Sequence, residues 1–148
     1  MLAPGRYGVA VSLRIRLIAV AGAAVLLAVA LGIRLVVSRG GILDGSGALA
    51  QYSGTALYAA TVYAGVFVLA PRARPWAAGA VAIGFCWAVE FFQLTGVPAA
   101  MSARSVLARL ALGEKFDPTD LAWYVIGVGP LAVLHEIVSR RRGRYSRF

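Results

Sequence analysis

The chain has 148 residues, 60% of them hydrophobic and 14% charged, and its mean hydropathy is +0.78. A water-soluble domain is roughly 45–50% apolar and about 25% charged, and a chain this short cannot bury such an excess in water. That excludes an ordinary soluble enzyme, and the single cysteine, Cys86, excludes a disulfide scaffold. The formal net charge of +9 must be placed relative to the apolar runs before it says anything about partners.

A helix rises about 1.5 Å per residue, so a hydrocarbon core of about 30 Å takes roughly 20 mostly apolar residues. The first such run is Leu17 to Val37, broken only by Arg34 near its end. Basic residues ahead of it and Ala28-Val29-Ala30 within it mimic a secretory signal, but the run continues well past that site, so no cleavage is expected. The second run is Tyr52 to Ala70, closed by Pro71, and the third is Trp76 to Leu94, with Glu90 and Gln93 near its end. The fourth is Pro118 to Val138, carrying Pro130, where a kink near Gly127 and Gly129 is expected. Lipid leaves no other spanning solution than a helix for such runs. The expected fold is all-α: an integral membrane bundle of four transmembrane helices with a short interfacial helix between the third and fourth. Rows of small residues, Ala24-Ala28-Gly32, Ala56-Ala60-Ala64 and Ala80-Gly84-Ala88, are expected to let backbones approach.

Ten of the fifteen basic residues flank the runs on one side: Arg6, Arg14, Arg16, Arg72, Arg74, Arg140, Arg141, Arg142, Arg144 and Arg147. The positive-inside rule then places both termini in the cytoplasm. The expected division is 1–16 as a basic cytoplasmic N-terminus, 17–138 as the transmembrane domain and 139–148 as an arginine-rich cytoplasmic tail. The expected location is the plasma membrane, with membrane lipids as partners. The charge thus reads as an orientation signal, and no nucleic-acid partner is expected because no groove-reading element accompanies it.

Ionisable groups inside a span are costly and therefore informative. Glu90 lies about 21 Å along its helix from Trp76, in the outer third of the membrane, with Gln93 one turn on and on nearly the same face. Arg34 lies about 25 Å along the first run, at similar depth, where it either snorkels or pairs with Glu90. The long connection from Thr95 to Asp117 contains an amphipathic stretch, read as a helix with Ser102 as N-cap and Gly113 as terminator. It carries Arg104 and Arg109. Asp117 before Pro118 reads as the N-cap of the last helix, which leaves Asp120, at N3, available for a site. Arg34, Glu90, Gln93, Arg104 and Asp120 are therefore the candidate polar cluster. No catalytic residue, metal ligand or cofactor is assigned, because one histidine and one cysteine build no recognisable metal set and there is no phosphate loop.

Gly54 to Tyr58, the Glu90-x-x-Gln93 pair, Arg104, the run Leu112-Gly113-x-x-Phe116-Asp117 and Asp120 together resemble a family of small bacterial membrane proteins. It is the family called domain of unknown function 2809. More distantly they are similar to VanZ-like membrane proteins, which are linked to glycopeptide resistance. The resemblance implies a protein of the cell envelope and no known reaction. One departure stands out: the family has Gly-Asp where this chain has Gly54-Thr55. The expected function is an outward-facing polar site for a lipid or lipid-linked envelope ligand. The alternative is a subunit of an oligomeric transporter or channel for small solutes, and a homo-oligomer fits either. An enzyme using Glu90 as acid or base ranks last, since no nucleophile accompanies it.

Overall fold

The computed structural model describes residues 4–38, 48–113 and 115–145, all of them helical or in short connections. Six helices follow in order: α1 (Pro4–Ser38), α2 (Ala48–Leu69), α3 (Pro75–Gln93), α4 (Val97–Ser102), α5 (Val106–Leu112) and α6 (Pro118–Tyr145). Four of them are long and apolar enough to cross a membrane, over Gly8–Ala30, Gln51–Leu69, Pro75–Gln93 and Pro118–Arg141. The last three match the expected spans to within a turn. The expected first run, Leu17 to Val37, lies on α1, which is helical without a break from Pro4 to Ser38.

The helix boundaries follow from local chemistry. Pro71 ends α2 because it lacks an N–H, and the turn through Ala73 is closed by its N–H bonding to the Ala70 carbonyl at 3.0 Å. Pro75 then opens α3 at a position where the missing donor is harmless. Gly96, at φ 74°, takes the left-handed conformation that turns the chain into α4. α6 passes through Pro130 as one helical run.

The packing shows the direction of each helix. Tyr52 stacks on Trp123 near the start of both α2 and α6, with ring centroids 5.1 Å apart. Further along the same pair, Tyr63 Oη meets His135 Nδ1 at 3.0 Å; α2 and α6 are therefore parallel. α3 runs against them, since Gly79 near its start faces Val128 and Ala132, and Trp87 near its end donates to the Leu121 carbonyl at 3.1 Å. α1 packs on α2 and on no other described helix, with Gly8 beside the Arg72 guanidinium. One end of the bundle thus gathers the start of α1, the α2–α3 turn and the end of α6. The other gathers the end of α3, both short helices and the start of α6.

Small residues make the core. Ala59, Ala78, Ala82 and Cys86 are fully or almost fully buried with Tyr63, Phe67, Tyr124 and Val128. Gly127 faces the Ala56 carbonyl so closely that a Cβ there has no room. On α3 the expectation fails in an instructive way. Ala80, Gly84 and Ala88 point outward, and the packed face is Ala78, Gly79, Ala82, Cys86, Val89, Glu90 and Gln93. A carboxylate facing lipid is far more costly than an exposed alanine row, so the polar residues decide which face turns inward.

Candidate functional site

The polar residues collect at the bundle end formed by the end of α3, the two short helices and the start of α6. Glu90 is at their centre, 1% exposed. Its Oε1 accepts from the Tyr124 hydroxyl at 2.6 Å, and its Oε2 accepts from the Asp117 backbone N–H at 3.3 Å. The Gln93 amide, one turn further along α3, lies 3.5 Å from Oε1 and donates to the Leu112 carbonyl at 2.7 Å. Both neighbours of that nitrogen are acceptors, which fixes the amide orientation. Gln93 Oε1 then points away from them, buried and without a partner among the described residues. Glu90 has no basic partner among the described residues.

Asp120, one turn before Tyr124 on α6, is half-buried and meets the Thr55 hydroxyl of α2 at 3.0 Å. The same hydroxyl lies 3.1 Å from the Gln51 carbonyl, and with one proton it serves one of them at a time. Thr55 is the position at which the sequence departs from the Gly-Asp pattern, and it sits directly against a carboxylate. Asp117 caps α6 as expected: its Oδ1 accepts the Thr119 N–H at 2.9 Å, and its Oδ2 accepts from the Gln51 amide at 2.9 Å. Hydrogen bonds from Thr119 foremost, then the Gln51 amide and the Lys115 charge, hold the Asp117 carboxyl below the usual carboxylate range.

The long connection is built differently from the single helix expected. Ser102 ends α4 instead of capping a helix, and its hydroxyl donates to the Gly113 carbonyl at 2.7 Å. Ser105 takes the capping role for α5, accepting the Ala108 N–H at 3.3 Å. A turn at 103–105 separates the two. The amphipathic pattern continues across that turn, and so hides it. Gly113 does terminate α5, at φ 69°, and a side chain there would also meet the Gln93 amide. With Tyr58 donating to the Ala111 carbonyl at 2.9 Å, three successive carbonyls, 111 to 113, are each held by a side chain from a different helix.

Of the five expected site residues, Glu90 and Gln93 are in contact and Asp120 lies on the same face of α6 as Tyr124. Arg104 is exposed in the turn between α4 and α5 and makes no ion pair among the described residues. Arg34 lies on α1, whose only described helix neighbour is α2; its side chain, like that of Arg109, falls outside the described set. Tyr124 was not singled out from sequence. The available signal was its place four residues after Asp120, which puts both on one side of the helix. His135 is at the opposite bundle end, bonded to Tyr63 and close to the Phe67 ring at 4.9 Å. Among the described residues no three His, Cys, Asp or Glu side chains gather into a metal-binding set.

Chemically, the cluster presents hydrogen-bond acceptors: a Glu90 carboxylate met by neutral donors, a second carboxylate nearby, and a Gln93 carbonyl without a partner among the described residues. No solved structure matches the chain. The family model described as "Protein of unknown function (DUF2809)" matches residues 45–128, more than half of the chain and the whole of the Glu90 cluster, and the chain belongs to that family.

Proposed function

We propose that the chain is a multi-pass protein of the plasma membrane, both termini cytoplasmic, whose outward-facing polar cluster binds a lipid or lipid-linked envelope ligand. The arginines of the α2–α3 turn, the start of α1 and the end of α6 share one bundle end, which supports the orientation. Glu90 and Gln93 form the centre of the site, Asp120 its side toward α2, and Arg104 supplies charge in the adjoining turn.

The observation that carries this reading is the burial of Glu90 with only neutral partners among the described residues, beside a Gln93 carbonyl that has none among them. A purely structural carboxylate at this depth is expected to have a basic partner. Acceptors left over in a polar cluster are what a ligand carrying hydroxyl, amide or ammonium donors recognises. The test is Glu90→Gln in the full chain, purified from its own membrane and examined by native mass spectrometry and thermal unfolding. A folded variant that no longer retains the co-purifying lipid or lipid-linked species supports the reading. A folded variant with unchanged retention, or a wild type that retains nothing, overturns it. Solute flux through wild-type proteoliposomes without bound ligand replaces it with the transporter reading.

A further inference from the structure

The opposite bundle end holds a second feature, independent of the Glu90 cluster. Where the start of α3 crosses the end of α6, a groove of about 300 Å³ is lined by Trp76, Ala132, Val133, Glu136, Ile137 and Arg140. Of these, Ala132 lies close to Gly79 of α3. The groove's walls are large and outward-facing, with Trp76 and Val133 each 60% exposed. Among the described lining residues the polar side chains are Glu136 and Arg140, and Arg140 Nε donates to Glu136 Oε1 at 2.7 Å. That bond occupies one of five guanidinium donors and orients the rest.

We propose that this groove seats one anionic phospholipid, with an acyl chain along Trp76, Val133 and Ile137 and its phosphate on Arg140. The occupant is argued from charge and place. An apolar channel on a membrane-spanning surface is filled by hydrocarbon, and an exposed tryptophan at the end of a span sits at headgroup level. Arg72, Arg74, Arg140 and Arg141 are all exposed at this end, against the single carboxylate of Glu136 among the described residues. The first turn of α3, at the mouth of the groove, has no side-chain cap. Its backbone N–H groups and the positive end of the helix dipole therefore add to the field that an anionic headgroup meets. A zwitterionic headgroup forfeits most of that attraction.

The experiment uses the full chain in detergent, titrated with phosphatidylglycerol or phosphatidylcholine and read by native mass spectrometry. One phosphatidylglycerol is expected to bind in preference to phosphatidylcholine. Val133→Phe fills the groove from an exposed position, and is expected to weaken that first site about tenfold. Ile137→Phe, also exposed, repeats the test should the first variant fold poorly. Arg140→Gln is expected to cut the preference for the anionic lipid about fivefold while phosphatidylcholine binding stays. The tail double variant R144Q/R147Q should leave both unchanged. A preference that survives the groove variants, or that disappears only with the tail, overturns the proposal in favour of diffuse attraction. A wild-type dimer that Val133→Phe dissociates puts a second copy in the groove and also overturns it.

Discussion

At the scale of single residues, the decisive contact is the 2.6 Å bond from Tyr124 to Glu90. Hydrogen bonds to a buried charged group are worth more than neutral ones, and removing the donor leaves the carboxylate under-solvated. Tyr124→Phe keeps the ring and its packing, so the loss isolates the hydroxyl. It is expected to destabilise the protein by about 1–3 kcal/mol, measured as a lowered thermal midpoint in detergent. Tyr58→Phe, which frees only the Ala111 carbonyl, should lower it less. Equal effects of the two changes would mean that Glu90 draws little from Tyr124. Sequence spacing reached part of this arrangement. Glu90 and Gln93 meet because residues three apart on a helix share a face, and Asp117 caps α6 because Asp-Pro is a helix-opening pair. Tyr124 was hidden because its partner is 34 residues away, and spacing along one helix says nothing about which other helix it meets.

At the scale of elements, the close approach of α2 and α6 depends on a glycine. Gly127 leaves the Ala56 carbonyl no room for a Cβ opposite, so Gly127→Ala must push the helices apart. The expected loss is roughly 1–3 kcal/mol of stability, with weaker contacts between Tyr52 and Trp123 visible as a change in tryptophan emission. Gly129→Ala is the control, because nothing lies within contact of a Cβ there. If both changes are tolerated equally, the α2–α6 contact is looser than described. The four spans were legible from run length alone, because the thickness of a bilayer imposes it. The inward face of α3 was not. Small residues and polar residues both favour helix contacts, and only the three-dimensional arrangement shows that Glu90 and Gln93 outrank the Ala80–Gly84–Ala88 row. The break between α4 and α5 was also illegible, since Ser102 and Ser105 are equally good caps and sit three residues apart.

At the scale of the whole molecule, the two bundle ends differ in chemistry. One gathers exposed arginines and the Tyr63–His135 contact; the other gathers the buried Glu90, the half-buried Asp117 and Asp120, tyrosines and the two short helices. The proposed orientation puts the first in the cytoplasm. A membrane-impermeant thiol reagent on intact cells is then expected to modify Thr95→Cys and to spare Arg141→Cys until the membrane is opened; both positions are exposed. Cys86, fully buried, contributes no background. The reverse labelling pattern would invert the topology and move the Glu90 cluster to the cytoplasmic face. The same arrangement of ends puts His135 and Glu90 in separate neighbourhoods.

The partners of Glu90 also carry a consequence for how the protein is made. Its oxygens are met by the Asp117 N–H and the Tyr124 hydroxyl, 27 and 34 residues downstream. During synthesis α3 therefore reaches the bilayer before the groups that solvate its carboxylate have been translated. An acidic side chain in a span weakens insertion by up to about 3 kcal/mol, so the nascent α3 is poorly committed to the membrane by itself. Arrival of α6 settles two things together: it completes the bundle and it retains the helix before it. Biogenesis of this chain is then a late, cooperative event, in which the last span decides whether the third one stays.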